Sequence, residues 1–178
     1  MRIIAGTAKG HRLLAPSNRA IRPTGDRTRE GLFSMLMPRI IGARFLDLFC
    51  GSGANGLEAL SRGAAHATFI DNAAEAIDIT RLNLERCRLS ADGCVLKASI
   101  PTQLGPQPRP FDILFADPPY AWNDYALLLQ TLQANGFVAA DGVVILETGY
   151  NAVLPEEVGL LCQKKRRRYG DTGLTFFA

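Results

Sequence analysis

The chain has 178 residues, 47% of them apolar, a net charge of +3 and a mean hydropathy of +0.05, which is one domain of ordinary size with material for a single core. No apolar run approaches bilayer length, Met1-Arg2-Ile3-Ile4-Ala5-Gly6 lacks the apolar segment and cleavage site of a signal peptide, and Cys50, Cys87, Cys94 and Cys162 form neither a C-x-x-C pair nor zinc spacing with His11 or His66. The expectation is a cytoplasmic protein with reduced thiols, no membrane partner and no metal.

In chain order, residues 2–5 and 12–15 read as short strands around Gly6-Thr7-Ala8-Lys9-Gly10, a basic hairpin. Thr24 to Met37 reads as a helix: Thr24 or Asp26 can cap it, Leu32, Phe33, Leu36 and Met37 recur at helical spacing, and Pro38 helps end it. Then comes an alternation. Arg44 to Phe49 is an apolar strand, Ala54 to Arg62 a helix with Leu57 and Leu60 inward, and Ala67 to Ile70 a strand ending at Asp71. Ala73 to Leu89 is a helix with Ile77, Thr80, Leu84 and Cys87 inward, and Cys94 to Leu96 a third short strand. Phe111 to Ala116 is a buried strand ending at Asp117, Asp124 to Ala134 a helix and Val143 to Glu147 a fifth strand. Leu160 to Lys165 and Leu174 to Phe177 can pair through the turn at Gly170 to Gly173.

Strands alternating with helices predict a parallel sheet covered on both faces, and two consecutive strands at the end predict an antiparallel edge. The expected fold is α/β and Rossmann-like: a mostly parallel, seven-stranded sheet in one domain. Residues 1–38 would be a hairpin and helix extension, and 39–178 the core.

Two turns carry chemistry. The first strand runs into Cys50-Gly51-Ser52-Gly53-Ala54-Asn55-Gly56, a G-x-G-x-x-G pattern, and Asp71 follows at the end of the next strand. The pattern suits any adenosine-containing cofactor, because the acidic residue accepts hydrogen bonds from ribose hydroxyls. Asp47 tips the balance: a carboxylate there repels a pyrophosphate, whereas an ammonium and a sulfonium tolerate an acidic wall. This favours S-adenosylmethionine over a dinucleotide.

Asp117-Pro118-Pro119-Tyr120 stands at the end of the fourth strand, on the side where open α/β sheets bind ligands. Two prolines stiffen the turn and leave it rich in acceptors. The Asp117 carboxylate and the Pro118 carbonyl could each take one N–H of an amino group whose lone pair is delocalised into a base, freeing that lone pair for in-line attack. Tyr120 would stack on an extruded base.

Charge is unevenly spread. Residues 1–30 hold seven basic residues against two acidic, residues 164–178 five against one, and residues 31–163 carry a net −6. Basic ends on an acidic body suit a polyanion.

Arg22-Pro23-Thr24-Gly25-Asp26-Arg27-Thr28-Arg29-Glu30-Gly31-Leu32-Phe33, Phe45-Leu46-Asp47-Leu48-Phe49-Cys50-Gly51-Ser52-Gly53 and Asp117-Pro118-Pro119-Tyr120 together resemble the RsmD family of bacterial 16S rRNA guanine-N2 methyltransferases. Arg2-Ile3-Ile4-Ala5-Gly6, Lys9-Gly10 and Leu57 to Ala64 extend the likeness over nearly the whole chain. The resemblance implies a class I S-adenosylmethionine-dependent methyltransferase fold and transfer to the 2-amino group of one guanine (the family's guanine 966). The partner would be 16S rRNA in a partly or fully assembled small subunit.

By position, the implied donor set is Asp47, Cys50, Gly51, Ser52, Gly53, Asp71, Asn72 and Ser99; the family often has Glu at 71, and Asp or Asn where Ser99 stands. Asp117 to Tyr120 would hold the target amine. Arg22 and Arg27 would face the mouth of the site, and Arg2, Lys9, Arg12, Lys164, Lys165 and Arg166 would contact RNA. Three other readings remain: an amino-methyltransferase acting on adenine or cytosine, an inactive rRNA-binding module, and an NAD-dependent dehydrogenase, which lacks an obvious proton donor.

Overall fold

The computed structural model describes residues 1–15 and 25–178. The expected cap Thr24 and the arginine Arg22 fall outside the described residues. The elements are α1 (Gly25–Ile40), β1 (Arg44–Leu48), α2 (Ala54–Ser61), β2 (His66–Asp71), α3 (Ala74–Arg86), β3 (Gly93–Lys97), β4 (Phe111–Ala116), α4 (Tyr125–Ala134), β5 (Val138–Gly149), β6 (Glu157–Val158), β7 (Leu161–Tyr169) and β8 (Thr172–Phe177).

Among the described residues eight strands, one more than expected, form a single sheet in the order β3-β2-β1-β4-β5-β8-β7-β6. The added strand is the two-residue β6, which pairs only with the start of β7. The first five strands are parallel, and β8 and β7 run antiparallel beside them. Parallel strands need crossovers, which α2, α3 and α4 supply except between β3 and β4, where residues 98–110 cross without a helix, whereas β7 and β8 are joined by a turn at Gly170 and Asp171.

Each central strand is buried on both sides, and side-chain parity divides the core. Phe45, Ile113, Phe115, Val143 and Ile145 meet α1, α2 and α3; Leu46, Leu48, Leu114, Ala116, Val144 and Leu146 meet α4. α1 buries Leu32, Phe33, Leu36 and Ile40, while Met37 is 50% exposed and does not join the inward face as expected. Nor does Pro38 end the helix. α1 continues through it to Ile40, whose complete burial favours one more turn despite the lost backbone donor.

The expected N-terminal strands reduce to one bridge between Arg2 and Arg12. Backbone bonds still pair the two arms of this segment as the expected hairpin, Ile3 N–H to His11 O at 3.0 Å, Gly10 N–H to Ile3 O at 2.9 Å and Leu13 N–H to Met1 O at 3.1 Å, and side chains from two helices hold it in place. Fully buried Glu58 on α2 accepts the N–H groups of Ile4 at 2.7 Å and Ala5 at 3.0 Å. It also accepts Arg62 Nε at 2.7 Å, and Arg29 Nε lies 4.0 Å from it. Ser61 Oγ donates to Ala5 O at 2.6 Å and accepts Ala8 N–H at 2.9 Å. Asn83 on α3 grips both backbone groups of Leu14, at 2.8 and 3.0 Å. Gly6 has φ +84°, and a Cβ there would stand 1.7 Å from Ser61 O, so only glycine lets the segment lie this close to α2.

Candidate active site

The C-terminal ends of β1, β2 and β4 converge, and the two chemical turns meet there as neighbours. The β1–β2 ladder runs one step past β1, with Cys50 N–H donating to Ile70 O at 3.1 Å. Toward β4, Asp117 N lies 3.5 Å from Leu48 O.

The glycine turn is strapped from beneath. Phe49, Gly51 and Gly53 have positive φ (57°, 56° and 75°), and Gly53 N–H closes the turn on Cys50 O at 2.8 Å. Asp71, 3% exposed, accepts Gly51 N–H with one oxygen and Ala73 N–H with the other, both at 3.0 Å. Thr80 Oγ1 donates to Gly51 O at 3.1 Å, and Asn83 Nδ2 to Ser52 O at 2.9 Å. Asn83 thereby links the glycine turn to Leu14 of the N-terminal segment.

Asp47 lies on the α1–α3 side of β1, only 1% exposed, where it accepts Gly56 N–H at 2.9 Å. The family resemblance places it in the donor set; the structure puts it under the turn, anchoring the first turn of α2, because position 47 shares strand parity with inward-facing Phe45. Cys50 is buried with its sulfur 3.7 Å from Thr80 Oγ1. Asn72 is exposed beside Asp71. Half-buried Ser99 is tied to Gln103, which accepts the Ser99 N–H through its side chain and donates to Ser99 O through its backbone, both at 2.8 Å.

In the second turn, Asp117 is exposed and Pro118 buried, and Tyr120 is 77% exposed. Trp122 N–H donates to Pro119 O at 2.8 Å and closes the turn. The Trp122 ring meets Phe49 edge-on at 5.3 Å and Tyr125 at 5.2 Å, bridging the glycine turn and the start of α4. Burial, and then the charge of Asp117, push the Tyr125 phenol above its ordinary range. Sequence reading passes over Trp122, although a lone tryptophan two residues past a proline turn was a visible signal.

The predicted RNA-facing groups separate. Arg2, Lys9, Arg12, Arg27, Lys164 and Lys165 are exposed. Arg166 is not directed outward as expected: its Nη2 donates to Tyr150 O at 2.5 Å and Ala152 O at 3.0 Å, which makes it a support for the loop after β5. Arg29, in the arginine-rich motif, is likewise structural. It is 4% exposed, donates to Arg2 O at 2.8 Å and pairs with Asp26 at 2.7 Å. Burial lowers its pKa against the opposing pull of Asp26 and Glu58.

Among the described residues no helix is long and apolar enough to cross a membrane, and no group of three or more His, Cys, Asp or Glu side chains could hold a metal ion.

The family profile described as Conserved hypothetical protein 95 matches residues 1–178. The chain is 35% identical over 180 residues to YlbH of Bacillus subtilis (strain 168), covering 99% of this chain and 98% of that protein. It is 35% identical over 169 residues to Ribosomal RNA small subunit methyltransferase D of Haemophilus influenzae, covering 92% and 88%. The solved yhhF structure from Escherichia coli superposes with a TM-score of 0.89 at 32% identity, covering 99% of this chain and 96% of that one. A more distant solved chain, SMU.776, complexed with SAH, shares the fold: 17% identity, TM-score 0.65, covering 84% and 49%.

Proposed function

The chain belongs to the Conserved hypothetical protein 95 family, the RsmD family, and on that premise we propose that it is an rRNA methyltransferase using S-adenosylmethionine, with the 2-amino group of a guanine in 16S rRNA as acceptor. The observation that carries this reading is the adjacency of the two turns: the carboxylate and carbonyl of Asp117 and Pro118 stand one strand away from the strapped glycine turn.

The residues fit the donor. Asp71 spends one lone pair of each oxygen on a backbone N–H, and a carboxylate has about four acceptor sites, so ribose hydroxyls can still be received. Buried Asp47 keeps the underside of the turn acidic, which suits a cationic ligand and opposes a pyrophosphate. When bound, S-adenosylmethionine supplies an electrophilic methyl carbon on a sulfonium.

The chain's own part is positioning and electrostatics. Asp117 and Pro118 accept the two N–H groups of the amine, hold it, and localise its lone pair toward the methyl carbon. The nitrogen held by Asp117 and Pro118 would take the methyl, with sulfur keeping the electron pair of the broken C–S bond, and would lose its proton to water. Asp117 is exposed, so it need not retain that proton. Tyr120, also exposed, offers its ring to the base. Exposed Arg2, Lys9, Arg12 and Lys164 extend positive charge for the RNA backbone.

The test is mass spectrometry of 16S rRNA from cells lacking this protein. The expected result is loss of one N2-methylguanosine, restored by wild type and not by Asp117→Ala. An unchanged modification pattern would overturn the reading.

A further inference from the structure

β7 carries Lys164, Lys165, Arg166, Arg167 and Arg168 in succession, and its register on β8 sorts the last three by face. Arg166 stands opposite Thr175, Arg167 opposite Leu174 and Arg168 opposite Gly173. Leu174 belongs to the core layer of α1, α2 and α3. Arg167 therefore shares that side with Tyr169, whose ring lies against Gly31 of α1. Arg166 and Arg168 share the other side.

On that other side the two guanidiniums close on one ring. The Arg166 carbon Cζ lies 5.3 Å and the Arg168 Cζ 4.5 Å from the centroid of Tyr150. Arg166 is the fixed member, tied to the carbonyls of Tyr150 and Ala152. It reaches them across Gly173, where an added Cβ would meet Arg166 Nε at 3.3 Å and Tyr150 Cα at 3.4 Å. Arg168 is the exposed member, and its Nε donates to Gly170 O at 2.8 Å. Tyr150 itself is set by its N–H on Asp171 O at 2.8 Å.

The arrangement adjoins the target turn. The Tyr120 hydroxyl lies 3.2 Å from where a Cβ on Gly149 would stand, and Tyr150 is the next residue. An exposed guanidinium held over a ring, with its Nε on Gly170 O and its Nη groups in addition, suits a phosphate oxygen. Beside a base drawn toward Tyr120, the nearest such group is the phosphodiester linking the target to its neighbour.

We propose that Arg168, held on Tyr150 and backed by Arg166, binds the RNA phosphodiester next to the methylated nucleotide. This rests on the rRNA reading above. The contact forms in ground state and transition state alike, so its loss raises KM for RNA and leaves kcat.

The experiment uses small ribosomal subunits purified from cells lacking this protein, with methyl transfer measured over a salt series. Arg168→Ala is expected to raise KM for subunits about fivefold to tenfold, keep kcat, and make the log–log salt slope shallower by about one. Tyr150→Ala raises KM without that change in slope, since the charge remains, and Tyr150→Phe restores KM because the ring is kept. Arg167→Ala, on the opposite face, raises KM less than Arg168→Ala. Calorimetry with S-adenosylmethionine should give the wild-type affinity for every variant. Wild-type KM and slope in Arg168→Ala, or equal effects of Arg167→Ala and Arg168→Ala, overturn the assignment while the rRNA reading stands. Wild-type protein that methylates no subunits overturns both.

Discussion

The Trp122 ring stands edge-on to Phe49 at 5.3 Å and 67°, although the two residues belong to different turns and Phe49 adopts a left-handed φ of 57° to take part. Non-glycine residues at such φ carry strain of about 1–3 kcal/mol and persist where their surroundings hold them. Here the surroundings include the tryptophan whose N–H closes the Asp117 to Tyr120 turn.

Trp122 should accordingly position Asp117 relative to the donor turn. Trp122→Ala is expected to lower kcat about 10- to 100-fold with donor affinity changed much less, since misplacement near 1 Å can cost that much. Trp122→Phe, which keeps an aromatic edge, should recover most of the rate. Trp122 is the sole tryptophan, so its fluorescence should respond when donor is titrated into wild type. Equal kcat for Ala and wild type would remove the positioning role.

Glu58 predicts a stability effect at a distance from the chemistry. Its buried carboxylate receives two N-terminal N–H groups and two arginines. Glu58→Ala leaves these donors without their acceptor and should cost about 3–5 kcal/mol, read as a lower midpoint in urea. The N-terminal amides of Ile4 and Ala5 should lose hydrogen-exchange protection first.

Asp71→Asn separates charge from shape. An amide can accept from only one of the two N–H groups that Asp71 now receives, and its NH2 would face the other. Donor affinity by calorimetry should fall about 10- to 100-fold, the range for losing a hydrogen bond to a charged group. An unchanged affinity would place the ribose elsewhere.

His66 predicts a pH dependence. Burial, and then Arg44, lower its pKa from the ordinary value, with Asp92 opposing. The folded chain therefore binds fewer protons here than the unfolded chain. The stabilisation is full above about pH 6.5 and drains as pH falls through the lower folded value. His66→Gln should flatten the pH dependence of thermal stability between about pH 7 and 5, and a wild-type-like slope in that variant would contradict this.

How much of this was legible beforehand follows from the range of the interactions. Strand alternation, the glycine turn and Asp117 to Tyr120 are local patterns, and apolar runs alone put each turn at the carboxyl end of a strand; that those two strands are neighbours is a property of the sheet order. The R-P-T-x-x-R-x-R-E segment was legible as a family mark, yet its Arg29 turned out to be a buried strut. Arg166 looked like its exposed neighbours, because a run of cations does not disclose which strand face each one occupies.

From the sequence alone came the α/β order, the antiparallel tail, the two chemical turns and the basic ends, all written in residues close together along the chain. Only the tertiary structure decided how they are held: Glu58 reaches Ile4 across 54 positions and Asn83 reaches Leu14 across 69. It also decided that Asp47 lies beneath the glycine turn and that Trp122 touches Phe49. Such contacts join buried polar or aromatic groups through space. Their partners are chosen by which surfaces the hydrophobic core brings together, and no local pattern records that choice.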